Sequence, residues 1–249
     1  METLKRILSA AVLVPLFIFC AFNDYQNGLF FFIILLIAAI LGTIELRGFY
    51  KQKNVDINTI IIIIFIILSW SLHYFTHYSK TLSIYNAKYN ISIILLVLLF
   101  LITGIIEVFK SDFSKSLSKI SGTLLIFVYM GILFPYVYKI KVLKPNGTFI
   151  LFFTASLAWL CDSFAYFTGK YLGKHKLNLP VSPKKTLEGF IGGIVLSFAS
   201  AILVRAIFIT KLKHSIFKLH YFIPITLILI AIAIFGDMIE SVIKRSVKI

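Results

Sequence analysis

Residues 91–109 read ISIILLVLLFLITGIIEVF, nineteen consecutive positions with a single ionisable group, Glu107. A helix on the surface of a soluble protein keeps one charged or polar face, and this run has none to offer. Its length matches the roughly 20 apolar residues that a helix needs to cross a bilayer. Comparable runs recur at 7–22, 29–44, 57–72, 120–138, 149–168, 189–210 and 222–238. The sequence therefore predicts an all-α, polytopic integral membrane protein with about eight transmembrane helices, since helices satisfy their own backbone polar groups in lipid.

Composition agrees. The 249 residues are 59% hydrophobic and 14% charged, against roughly 45–50% and 25% in soluble domains. The loops hold fewer than about 20 residues, too few for a separate soluble domain. The expectation is one transmembrane domain over 1–249, with N-terminal membrane helices in 1–150 and the polar, site-bearing helices in 151–249. The first run has a basic start and an apolar middle but no small-x-small cleavage site, so it reads as an uncleaved helix. Cys20 and Cys161 lie in separate apolar runs and read as buried free thiols.

The net charge is +15. With the N-terminus inside, the inside loops carry 16 Lys and Arg and the outside loops 8. This bias predicts a multi-pass protein of the cytoplasmic membrane with both termini in the cytoplasm. The excess also suits a polyanionic substrate or an anionic lipid surface, and no nucleic-acid partner is expected.

Three polar clusters stand out in the last 95 residues. WLCDSFAYFTGKYLG (159–173) puts Asp162 inside an apolar run, where a carboxylate is expensive and points to function. Ala165, Gly169 and Gly173 repeat at four-residue spacing and predict close approach of a neighbouring helix. VSPKKTLEGFIGG (181–193) reads as a helix start, with Ser182 as cap and Pro183 in the first turn. Lys184 and Lys185 would then stand at the positive end of a helix dipole, where free N–H groups and ammonium groups suit a phosphate. Thr186 adds a hydroxyl and Glu188 a carboxylate. IFGDMIESVIKRSVKI (234–249) continues as a helix with Asp237, Glu240, Ser241, Lys244 and Lys248 on one face. Asp237 suits a divalent cation, and Lys244 with Arg245 suits phosphate. Each cluster also has a plainer reading, as a packing helix, a basic cytoplasmic loop and an interfacial cap with a Glu240–Lys244 pair. Together they suggest chemistry on a phosphorylated, lipid-borne substrate.

The strings D-x-x-A-Y-x-x-G-x-x-x-G at 162–173, S-P-K-K-T-x-E-G at 182–189 and GDMIESVIKR at 236–245 resemble the phosphatidate cytidylyltransferase, or CDP-diacylglycerol synthase, family. The resemblance implies a nucleotidyltransferase of phospholipid biosynthesis: CTP and phosphatidate give CDP-diacylglycerol and pyrophosphate. It implies Asp237, Asp162 and Lys244 as catalytic residues, with Asp237 also the metal ligand. It implies Ser182, Lys184, Lys185, Thr186, Glu188, Ser241 and Arg245 as binders of the phosphates of CTP or phosphatidate. Mg²⁺ is the expected cofactor, with a second cation as an option, and a homodimer in the lipid bilayer is the expected assembly. The family pattern continues with K-D and an H-G-G-x-x-D-R segment, so the expectation is a C-terminally truncated chain with little or no activity alone. Alternatives are a CTP-dependent polyprenol or phytol kinase-like enzyme, or a non-catalytic membrane remnant of the family.

Overall fold

The computed structural model describes residues 15–78, 91–143, 146–178, 180, 182–183, 185–212 and 218–247. Among them, seven helices are long and apolar enough to cross a membrane. The expected first span, 7–22, lies mostly outside the described residues, and its 15–22 part is helical. The protein is a polytopic, all-helical membrane protein. Apolar side chains crowd the outer faces of the helices, as at Ile64, Ile105 and Ile232, each more than half exposed. Such faces are stable only against lipid.

The chain divides into two compact units, 1–148 and 149–249. The first holds α1 (Leu29–Gln52), α2 (Thr59–Tyr78), α3 (Ile91–Val108), α4 (Ser116–Phe127) and α5 (Pro135–Lys141). The turn before α1 needs left-handed backbone at Gln26, Asn27 and Gly28, residues among those that tolerate it best at the last two positions. Lys141, almost fully buried, locks this turn by donating to Asn23 O at 3.0 Å and Asp24 Oδ1 at 2.6 Å. Inside the unit, Phe32 packs against the rings of Trp70, Tyr74 and Tyr138.

The expected span at 120–138 is a longer composite, Ser116–Lys141, in which α4 and α5 flank a π-helical turn at Val128–Leu133. Pro135 explains the wide turn: with no N–H, it cannot donate to the carbonyl of Gly131 four residues back. The register slips, and Phe134 N–H donates to Tyr129 O at 3.0 Å. Two carbonyls are thereby released in an apolar interior, where an unmet polar group is costly. Ser69 Oγ donates to Gly131 O at 2.7 Å, and Trp70 Nε1 donates to Met130 O at 2.8 Å. Two adjacent residues of α2 thus meet the needs of a proline two helices away.

The second unit is built from α6 (Gly147–Leu172, which begins two residues before the unit boundary), α7 (Leu187–Leu212) and α8 (Leu219–Ser246). The small-residue repeat of α6 meets the glycines of α7. A Cβ on Gly189 would stand 2.7 Å from Ala165 O and 3.0 Å from Gly169 Cα, and one on Gly193 would stand 3.0 Å from Ala165 Cβ. Only glycine at these positions lets the two backbones lie this close. Leu157 and Cys161 of α6, Ala201 of α7 and Phe222 and Ile230 of α8 form the buried cluster behind them. Cys20 and Cys161 are both free and buried.

Candidate active site

α6 presents Cys161, Asp162, Ala165, Tyr166, Gly169 and Lys170 along one stripe, because these positions recur at helical spacing. The start of α7 adds Lys185, Thr186, Gly189, Phe190 and Gly193, and α8 adds Ile234 and Asp237 one turn apart. All of them line a single cavity of about 500 Å³ within the second unit. Its charged lining is balanced, with Lys170 and Lys185 against Asp162 and Asp237, and the remaining wall is largely apolar. Lys185 Nζ donates to Asp237 Oδ2 at 2.5 Å, joining α8 to the residue just before the cap of α7. Both side chains keep about a third or more of their surface exposed, at 33% and 40%. The pair is therefore open to exchange for another partner, and its worth to stability is small.

The local fold explains how Lys185 comes to this place. The expected helix start at Ser182 and Pro183 is corrected: α7 begins at Leu187, and Thr186 is its cap, its Oγ1 accepting the N–H of Gly189 at 3.1 Å. Ser182 and Pro183 instead form a turn in which Ser182 O accepts the N–H of Lys185 at 3.1 Å. Proline suits a turn as well as a helix start, and the threonine two residues before Glu188 is the better-placed hydroxyl. Two main-chain bonds then tie the loop to itself, Leu177 N–H to Lys185 O and Leu187 N–H to His175 O, both at 2.9 Å. Glu188 closes the same loop: its Oε1 lies 2.6 Å from His175 Nδ1, and both its oxygens accept the His175 N–H at 3.2 Å. Gly169 and Gly173 face Thr186 from α6, since a Cβ on either would come within 3.0 Å of its Oγ1.

The residues singled out in the sequence thus separate into groups. Asp162, Lys185, Thr186 and Asp237, drawn from all three clusters, share the cavity. Glu188 is turned to His175 and braces the loop. Lys244 pairs with Glu240 one turn along the exposed part of α8, and Arg245 is exposed beside it; Ser241 is half-buried, and none of these lines the cavity. Ser182 contributes its carbonyl to the turn. Lys184 and Lys248 lie outside the described residues. Two participants were not singled out in the sequence. Lys170 lines the cavity, with its ammonium 5.7 Å from the ring of Tyr166. His175 holds Glu188, and only a contact between residues thirteen apart reveals it.

Among the described residues there is no group of three or more His, Cys, Asp and Glu side chains arranged to hold a metal. Two carboxylates in one cavity nonetheless suit Mg²⁺, which keeps several waters and takes its remaining ligands from substrate phosphates.

The chain is 29% identical over 241 residues to phosphatidate cytidylyltransferase of Bacillus subtilis, covering 97% of this chain and 84% of the relative. It is 38% identical over 117 residues to the protein of that name from Staphylococcus epidermidis, and 36% identical over 117 residues to the one from Staphylococcus saprophyticus. Each of those two matches covers 47% of this chain and 42% of the relative. The model of the cytidylyltransferase family matches residues 4–249, and the chain belongs to that family.

Proposed function

We propose that the protein is a phosphatidate cytidylyltransferase, converting CTP and phosphatidate to CDP-diacylglycerol and pyrophosphate. The observation that carries the reading is the meeting of Asp162, Lys185, Thr186 and Asp237 in one cavity with apolar walls, at membrane-spanning helices. A lipid phosphate needs both a charged pocket and an adjoining apolar surface for its acyl chains, and the relatives carry the corresponding name.

In this reading a phosphate oxygen of phosphatidate attacks the α-phosphorus of CTP. A new P–O bond forms, the bond from the α-phosphorus to the bridging oxygen breaks, and pyrophosphate leaves with that electron pair. The nucleophile is already ionised, so the chain need not supply a general base. Its task is to bring two polyanions together and to hold the charge that develops on the leaving group. Lys185 is the residue of choice for that charge, because it exchanges Asp237 for a phosphate oxygen without leaving the cavity. Asp162 and Asp237 would hold Mg²⁺, which neutralises phosphate charge and polarises the α-phosphorus when bound. The formal neutrality of the lining supports a cation requirement: two lysines against two carboxylates leave nothing to offset a triphosphate. Thr186 fixes the start of α7 and so the height of Lys185 in the cavity.

The same reading places the cavity and both termini on the cytoplasmic side, where CTP is found, and includes the homodimer that the resemblance implies. The position of the label in the product tests the reaction. Lipid labelled from CTP carrying ³²P at the α-phosphate, with none from the γ-phosphate, is the expected result. Lipid labelled from the γ-phosphate would identify a kinase instead, and no phosphatidate-dependent product from either, even with the family's K-D to H-G-G-x-x-D-R segment supplied, would overturn the proposal.

A further inference from the structure

The first unit has a cavity of its own, about 440 Å³, between the ends of its helices. Arg47 near the end of α1, Asp56 in the connection to α2, Glu107 and Lys110 at the end of α3 and Lys119 in α4 surround it. Nothing in the proposed cytidylyl transfer uses these residues. Three cations face two carboxylates, so the lining keeps one uncompensated positive charge.

The carboxylates do not use up the donors. Glu107 is 8% exposed and accepts from Ser116 Oγ at 2.7 Å and from Lys110. With that carboxylate already served, Lys119 Nζ stands 3.8 Å from it, beyond hydrogen-bond reach. Arg47 gives Nη2 to Asp56 at 3.2 Å, but its Nε is buried without a hydrogen-bond partner among the described residues. A buried guanidinium N–H left unmet costs free energy that an oxygen acceptor would recover. The general excess of lysine in such loops puts charges near a membrane face. It gives no reason to sink a carboxylate among two lysines beside an arginine whose Nε–H has no acceptor among the described residues.

We infer that this cavity binds the phosphate group of an anionic phospholipid. A phosphate oxygen would take the Arg47 Nε–H and another the Lys119 ammonium, and its charge would complete the balance of the lining. The lipid origin of the phosphate rests on Ile60, which lines the cavity and is 72% exposed at the start of the membrane-crossing face of α2. An acyl chain leaving the cavity over Ile60 stays in hydrocarbon. Basic pockets between transmembrane helices are known settings for such headgroups.

Native mass spectrometry of the purified protein from mixed micelles of phosphatidylcholine and phosphatidylglycerol tests this. The wild-type chain should retain phosphatidylglycerol in preference to phosphatidylcholine. The double variant R47Q/K119Q should lower phosphatidylglycerol retention roughly tenfold or more, the effect of losing a charge-assisted contact. Lys174→Gln, an equal loss of charge at an exposed residue of the other unit, should leave retention unchanged. Lys119→Gln alone leaves the Arg47–Asp56 and Lys110–Glu107 pairs in place, so a loss in this variant with an unaltered melting midpoint reports on the site itself. Equal retention in wild type and R47Q/K119Q, or an equal loss in K174Q, would overturn the site. Displacement of the lipid by inorganic phosphate at matching concentration would overturn the lipid as its source.

Discussion

Replacing Gly189 by alanine is the sharpest test of how α6 and α7 create the cavity. The added methyl would sit 2.7 Å from Ala165 O and 3.0 Å from Gly169 Cα, and both neighbours are backbone atoms that cannot rotate away. Relief requires α7 to move from α6 by several tenths of an ångström or more. Overpacking of this kind costs about 1–3 kcal/mol. Alanine returns about 1 kcal/mol through its better helix propensity, leaving a net loss of up to about 2 kcal/mol. For a chain of this size that lowers the melting midpoint by a few degrees, about 2–4 °C per kcal/mol. Function should suffer more, because Lys185 moves with the start of α7 while Asp162 stays on α6. A misplacement on the order of 1 Å can cost about a hundredfold in rate. Gly236→Ala is the control: its Cβ meets nothing within 4 Å, although it neighbours Asp237. Thermal unfolding in detergent and phosphatidate-dependent incorporation of α-labelled CTP should separate the two variants. If G189A melts and turns over like G236A, the close glycine contact does not set the cavity, and the argument fails.

In a background that labels lipid, Asp237→Asn and Lys185→Gln should each cut that labelling by about a thousandfold or more, which at about 1.4 kcal/mol per tenfold exceeds a routine 0.5–3 kcal/mol substitution effect. Because each removes the other's partner, the double variant should be far less impaired than the product of the two losses; independent losses would show that the pair does not act as a unit. Ser69→Ala leaves Gly131 O without its hydroxyl donor and should destabilise the protein by about 1–3 kcal/mol, read as a lower melting midpoint. Ser69→Thr keeps the donor and should recover most of that loss. Cysteines placed at Lys115 and Lys174 should react with an impermeant thiol reagent only from the cytoplasmic side; labelling of either in intact cells would break the proposed orientation.

The helices were legible because their cause is local. Runs such as 91–109 cannot be stable in water at any register, so their identity follows from composition alone, and α3 ends within one residue of the expected bound. The α6 small-residue repeat foretold close packing for the same reason, since spacing on one helix determines its shape. The start of α7 was misread because Ser182 and Thr186 are both competent caps, and the choice between them depends on pairing with Lys176 and Leu177 across the loop. The π turn at Val128–Leu133 was equally hidden. Pro135 announces a disturbance, but whether a helix breaks, kinks or widens depends on donors from elsewhere, here Ser69 and Trp70. In the cavity, Asp162 and Asp237 could be recognised individually as costly carboxylates near membrane depth. That they face one cavity, that Lys185 bridges to the second, and that Lys244 does not reach it are facts of helix placement.

The wide turn in the Ser116–Lys141 segment also fixes that segment's length. A π turn holds one residue more than an α turn, and each helical residue rotates the chain beyond it by about 100°. Deleting a single residue between 128 and 133 would swing Tyr138 and Lys141 round the helix axis. Tyr138 would leave the ring cluster with Phe32, and Lys141 would leave Asn23 and Asp24. An insertion would do comparable harm in the opposite sense. This helix should therefore tolerate exchange of one apolar residue for another far better than any change in their number.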